Sequence, residues 1–184
     1  MIDLTTYNPY INKKIIFRCT TSNFGGLGDR LIGLCSSFIL SLILNFDFRL
    51  CWTYPINLDK ILDEHIIKWN TNDYNINEIN NELGLIDNDM IINRHLFYNN
   101  ISEYFNKSMT IISNKAFYLY LFKNKYIKER LTELNIINPN DIIHNCMNIL
   151  FTFKPQTRIK YNLLFCSFSS SSLATLSSLA LFCF

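Results

Sequence analysis

Three of the chain's five glycines lie together, at Gly25, Gly26 and Gly28, and Asp29 and Arg30 follow directly. Glycine permits a positive φ and lets another group approach the main chain closely. The N–H groups in the first turn of a helix carry partial positive charge and attract phosphates. Arg30 can add a bidentate contact to a phosphate or carboxylate, whereas Asp29 can cap a helix instead. The pattern predicts an anion-binding site made by these five residues.

Two better-known phosphate loops do not fit this stretch. The Gly-Lys-Ser/Thr ending of a mononucleotide loop is absent after Gly28. A G-x-G-x-x-G fingerprint that starts at Gly26 would need its third glycine at Leu31, and Gly33 comes two positions late. ATP or NAD binding by those routes is therefore disfavoured. A purely structural alternative stays open, in which the glycines make a tight turn and Gly33 allows close helix packing.

The elements around the glycines form a regular pattern. Lys14–Cys19 is predicted to be a buried strand, Asp29–Asn45 an apolar helix, and Asp47–Thr53 a second strand. The helix is apolar on nearly every side, which is typical of a helix packed inside a fold. A strand, a glycine loop, a helix and a strand make a βαβ unit with parallel strands. We therefore predict an α/β fold, a Rossmann-like domain with a parallel sheet flanked by helices.

The rest of the chain is less regular. Short helices are predicted at 56–62, 102–105, 115–122, 126–134 and 140–153, and strands at 64–69, 90–92 and 109–113. We expect residues 1–155 to form the Rossmann-like domain and residues 156–184 to form a charge-poor, Ser-rich apolar tail. That tail has no charged residue from Tyr161 to Phe184. It is interpreted as a membrane anchor, a buried helix or a run-on end from an interrupted reading frame.

Composition and motif spacing exclude several classes of function. Seventeen basic and fifteen acidic residues give a net charge of +2 without a long basic run, so no nucleic-acid partner is expected. Six cysteines form no C-x-x-C pair and no Cys/His cluster with zinc spacing, so we expect reduced thiols and no metal site. The N-terminus shows no signal peptide, which leaves a cytoplasmic or membrane-associated protein, with membrane contact through residues 161–184.

Few other residues are candidates for chemistry. The three histidines are isolated, and no Ser/His/Asp or Cys/His catalytic arrangement is apparent, so catalytic residues are unassigned. Arg94, in the stretch Asn93-Arg94-His95, is kept as a residue that could face a cleft from a strand end.

The stretch FGGLGDRLIGLCSSFILSLILNFDFRLCW resembles the N-terminal signature of fucosyltransferase-like glycosyltransferases, which include the protein O-fucosyltransferase and α-1,6-fucosyltransferase-related groups. That signature has a Gly-rich loop of the G-G-x-G-[DN]-R type between a strand and an apolar helix. The residues that match it in order are Gly25, Gly26, Gly28, Asp29 and Arg30. The segment CMNILFTFKP at Cys146–Pro155 is weakly similar to the end of the N-terminal half in some members.

The resemblance implies two Rossmann-like domains in the GT-B arrangement, with GDP-fucose as the expected donor. It implies an inverting transfer to a glycan or protein acceptor, without a metal or other cofactor. In that family the loop lies at the cleft between the domains, and the C-terminal domain makes most donor contacts. We expect this chain to be a truncated N-terminal half that is inactive unless a second domain is supplied. The alternative is a small non-enzymatic α/β protein tethered to a membrane by its tail.

Overall fold

The computed structural model describes residues 1–22, 25–71, 79, 81–86, 97–155 and 157. The strands are β1 (Tyr10–Cys19), β2 (Phe46–Trp52), β3 (Leu62–Glu64), β4 (Glu82–Leu85), β5 (Met109–Ser113) and β6 (Phe151–Phe153). The α-helices are α1 (Leu27–Leu44), α2 (Ile101–Tyr104), α3 (Tyr118–Leu121), α4 (Lys128–Glu133) and α5 (Ile142–Leu150). Single turns of 3₁₀ helix span Leu58–Lys60 and Pro139–Asp141.

Four of these strands form a parallel sheet in the order β2-β1-β5-β4. β1 is central, and the chain passes from it through α1 to β2, so the predicted βαβ unit is confirmed. The parallel sheet flanked by helices confirms the predicted α/β, Rossmann-like class. β3 and β6 form a separate antiparallel pair.

The helix α1 is the centre of the core. It packs against β1, β2 and β5 on one side and against α3 and α5 on another. Leu34, Phe38 and Leu42 on it are fully buried. Its length and composition would suffice to cross a membrane, but 67% of it is buried inside the fold, as expected of a core helix. Enclosure by protein on several sides explains why its sequence is apolar nearly all round.

The carboxyl-terminal end of α1 is closed without glycine. Asn45 adopts the left-handed conformation there, with φ 55°, a role that asparagine fills second only to glycine. The Arg130 guanidinium donates to the Leu42 carbonyl at 3.2 Å and to the Asn45 side-chain oxygen at 2.7 Å. A cation at this end complements the helix dipole. The helix is therefore anchored at its end by a residue of α4.

Several predicted boundaries were wrong. The strand predicted at 64–69 was wrong, because β3 spans Leu62–Glu64 and shares only Glu64 with it. The next residues instead hydrogen-bond to the end of α5, with His65 and Ile66 donating to the Leu150 and Ile149 carbonyls. The helix predicted at 140–153 ends at Leu150 because the chain turns into β6 there. β4 was missed, and the predicted strand 90–92 lies outside the described residues.

Candidate ligand site at the carboxyl edge of the sheet

The strand order reverses between β1 and β5. From β1 the chain moves outward to β2, and the later strands β4 and β5 lie on the opposite side of β1. The glycine loop leaves the carboxyl end of β1 after Cys19, beside the carboxyl end of β5 at Ser113. In open parallel sheets, ligands bind outside the carboxyl ends of the strands at such a reversal. The predicted anion-binding residues therefore lie at the favoured edge of the sheet.

The turn into α1 depends on Gly25 and Asp29. Gly25 has φ +71°, and a Cβ added to it would lie 2.5 Å from the Asp29 carboxylate. That carboxylate accepts a hydrogen bond from the Gly26 N–H at 3.1 Å. The helix begins at Leu27, two residues before the predicted Asp29, so Asp29 lies in the first turn. Asp29 thus performs the capping that the sequence left open as its alternative role.

The glycines of this region differ in why the fold needs them. A Cβ on Gly33 would overlap the Ser113 carbonyl oxygen at the end of β5, so α1 can approach the sheet only with glycine there. A Cβ added to Gly28 would have no atom of the described residues within 4 Å. Gly26 is extended, with φ −72°, and its built Cβ would lie 3.9 Å from the Asp29 carboxylate. The structural alternative accounts for Gly33, whereas packing among the described residues requires neither Gly26 nor Gly28.

Arg30 is buried, with 5% of its surface exposed. Its Nε donates to the Gly25 carbonyl at 3.0 Å, and its Nη1 donates to the Tyr54 carbonyl at 2.9 Å. Its Nη2 donates to the Ser22 carbonyl at 3.4 Å. The guanidinium carbon lies 4.9 Å from the centre of the Tyr54 ring. Arg30 therefore joins the loop after β1 to the loop after β2.

The thiol beside Arg30 is not activated. Cys19 is buried at the end of β1, and its sulfur lies 3.6 Å from Arg30 Nη1. Burial raises the pKa of Cys19, and the nearby guanidinium only partly opposes that rise. The group is a protonated thiol at neutral pH, and the thiolate is the nucleophilic form. The described cysteines are all free, and no three His, Cys, Asp or Glu side chains in the described ranges are placed to hold a metal ion.

The end of β5 contributes polar groups to the same edge. The Ser113 hydroxyl donates to the Leu85 carbonyl at 3.2 Å and accepts from the Lys115 N–H at 3.1 Å. Within the described part of the chain, the Asn114 side-chain oxygen is buried and has no hydrogen-bond partner. The residue that carries this unpaired acceptor directly follows Ser113, whose carbonyl Gly33 approaches.

The structure brings five of the six predicted site residues together, in the loop and first turn at the carboxyl edge: Gly25, Gly26, Gly28, Asp29 and Arg30. Arg94 lies outside the described residues. Sequence reasoning missed Tyr54, which enters the site through a contact with Arg30 across 24 positions of sequence. Its place directly after a strand was the one available signal.

Comparison with known proteins gives a fold and no sequence family. No family model matches the chain, and no curated protein sequence matches it. Among solved structures, the chain is similar to the Arabidopsis thaliana FUT1 mutant R284K in complex with GDP, with a TM-score of 0.58 and 17% identity. The similarity covers 86% of this chain and 42% of that chain. This chain therefore has a fucosyltransferase-like fold and spans less than half the length of that fucosyltransferase.

Proposed function

We propose that residues 1–155 are the N-terminal half of a GDP-sugar glycosyltransferase of the fucosyltransferase type, in a GT-B arrangement with GDP-fucose as donor. The observation that carries the proposal is the pair Gly26 and Gly28. Neither residue has a side chain, so the main chain is accessible at the helix N-terminus. Packing among the described residues does not require glycine at either position. The loop motif, its place at the strand-order reversal and the similarity to a GDP-bound structure support the same function.

In this proposal the loop binds the donor diphosphate mainly through its main chain. The first N–H groups of an α-helix have no acceptor within the helix, which applies here to Leu27, Gly28 and Asp29. A bare Gly28 lets a phosphate oxygen approach those groups. Arg30 holds the Gly25 carbonyl and keeps the loop in this shape. Its fixed positive charge behind the loop adds attraction for an anion.

Asp29 limits how the anion enters. Its carboxylate is bonded to the Gly26 N–H, and a phosphate beside it would be repelled. The diphosphate therefore approaches from the exposed side of Gly28 and leaves the Gly26 cap intact. Asp29 contributes to the site as the residue that fixes the turn.

One domain of this kind does not complete a transferase. Transfer requires a donor and an acceptor held in register and shielded from water, which one wall of a cleft cannot provide. We propose that the domain alone binds the donor weakly and transfers no sugar, and that a C-terminal domain supplies the remaining donor contacts. The acceptor, a glycan or a protein, would be held between the two, and Arg94 is retained as a proposed cleft residue.

Amide NMR during titration with GDP and with GDP-fucose tests the donor site. We expect weak binding, with the largest shift changes at the amides of Leu27, Gly28 and Asp29. Changes centred on the separate antiparallel pair of β3 and β6, or none at saturating nucleotide, would contradict the proposal. A transferase assay with and without an added C-terminal domain tests the second part, because robust transfer by residues 1–155 alone would contradict it.

A membrane tether is the second candidate, and the charge-free stretch from Tyr161 to Phe184 favours it. This stretch lies outside the described residues, so the tether is a proposal from sequence. Fractionation of the full chain and of a chain ending at residue 160 decides it. A tether predicts that only the full chain sediments with membranes, and equal soluble fractions would contradict it.

A further inference from the structure

Tyr54 is an exposed aromatic residue on a firmly held main chain. It lies two residues after the end of β2, at the same edge of the sheet as the glycine loop, and 38% of its surface is exposed. Its N–H donates to the Cys19 carbonyl at 3.3 Å, and its own carbonyl accepts from Arg30 at 2.9 Å. The N–H and the carbonyl of Tyr54 are therefore both held by hydrogen bonds, one to the end of β1 and one to the first turn of α1.

The ring itself is also held. The Arg30 guanidinium lies over the Tyr54 ring, with its central carbon 4.9 Å from the ring centre, a distance typical of a cation–π contact. One face of the ring is thus backed by a buried cation. Ile56, with 45% of its surface exposed, adds apolar surface close by in sequence.

Arg30 also links the Tyr54 ring to the proposed anion site. The same guanidinium that contacts the ring donates through Nε to the Gly25 carbonyl at 3.0 Å. One guanidinium therefore contacts both the Tyr54 ring and the glycine loop. Ligand sites commonly join a few fixed polar groups to aromatic surface in this way.

A hexose suits this surface chemically. One face of a pyranose ring carries mainly C–H groups, which pack against an aromatic ring, and its hydroxyls remain free for polar contacts. A sugar carried on a diphosphate at the helix N-terminus would be held at the same edge of the sheet as the Tyr54 ring.

We propose that Tyr54 is the surface on which the pyranose ring of the sugar nucleotide packs, and that Arg30 is the positioning residue that fixes both Tyr54 and the glycine loop. This inference rests on the proposed donor site. It adds a residue that distinguishes a nucleotide sugar from the bare nucleotide.

The test compares GDP with GDP-fucose on the domain and on its variants Tyr54→Ala and Tyr54→Phe. We expect GDP-fucose to bind about fivefold more tightly than GDP to the unmodified domain. Tyr54→Ala should lower the affinity for GDP-fucose about fivefold and so remove that preference, whereas Tyr54→Phe should keep it. Tyr126→Ala is the matched control, because Tyr126 is 56% exposed and follows the separate helix α3. It should change neither affinity.

The outcomes separate this inference from the donor site. Binding of GDP at the loop with a sugar preference that survives Tyr54→Ala would overturn the role of Tyr54 and leave the donor site standing. Absence of GDP binding would overturn the donor site and this inference with it. Free fucose is titrated as well, to test whether the sugar binds only as part of the nucleotide sugar. Saturation-transfer NMR from the protein to free fucose as strong as that to GDP-fucose would overturn the proposal that the sugar reaches Tyr54 on its donor.

Discussion

Gly28 and Gly33 belong to the same helix but have different surroundings. Gly33 faces the end of β5, where the Ser113 carbonyl leaves no room for a Cβ. Gly28 faces open space among the described residues, at the exposed beginning of the helix. Glycine costs roughly 0.5–1 kcal/mol relative to alanine inside a helix. Close packing against β5 offsets that cost at Gly33. At Gly28 the proposed ligand site explains why glycine is present.

The largest expected effect is from Gly33→Ala. The added methyl group would overlap a main-chain carbonyl of the central sheet, so α1 or β5 must shift. We expect the free energy of unfolding to fall by about 3 kcal/mol. Urea denaturation followed by circular dichroism measures this. An unchanged midpoint would show that the helix has room at this position, which would remove one side of the comparison.

Arg30→Met should have the next largest effect. It leaves the carbonyls of Gly25 and Tyr54 without their charged donor. Hydrogen bonds to charged groups contribute about 2 kcal/mol, and we expect a loss of that size in the free energy of unfolding. Arg30→Lys keeps the charge but lacks the planar fork, so it should restore only part of the loss. Full restoration by lysine would indicate that charge alone, rather than the set of contacts, holds the loops.

Gly25→Ala tests the turn that precedes the helix. A positive φ costs a residue with a Cβ about 1 kcal/mol, and the methyl group would also press on the Asp29 carboxylate. Gly25→Asn is the matched control, because asparagine tolerates this conformation better. We expect denaturation midpoints in the order glycine, asparagine, alanine. Equal midpoints for all three would mean that the turn is not built as described.

Asp29→Asn should have a small effect that sharpens the role of the cap. An amide oxygen can accept the Gly26 N–H, so the turn is retained while a negative charge leaves the proposed anion site. We expect stability to change little and GDP affinity to rise by about threefold. Calorimetric titration at low ionic strength gives the affinity. A fall in affinity would indicate that the carboxylate contacts the ligand directly.

The fold was predictable where the sequence pattern is local. The apolar run of α1, the strands on either side of it and the glycine turn indicate a βαβ unit, and β5 has the apolar sequence of a buried strand. β4 was not predictable, because Glu82–Leu85 is short and contains glycine and glutamate, which strands disfavour. Its neighbour β5 stabilises it as a strand.

The site residues likewise fall into those that a local motif predicts and those that only the folded chain brings together. The glycine cluster is a local motif, so its residues could be named from the sequence together with their anion chemistry. The contacts of Arg30 could not, because Tyr54 is distant in the sequence and meets it only after β1 and β2 pair. The phosphate contact predicted for Arg30 stays a prediction, and the structure shows its guanidinium donating to three main-chain carbonyls.

The most direct test of the central claim is the affinity of Gly28→Ala for GDP, measured beside its stability. We expect the free energy of unfolding to stay equal or to rise by up to about 1 kcal/mol, because alanine favours the helix and no described atom opposes its methyl group. GDP affinity should fall about tenfold, since the methyl group shields the first N–H groups of α1. An unchanged GDP affinity in a folded Gly28→Ala protein would contradict the account.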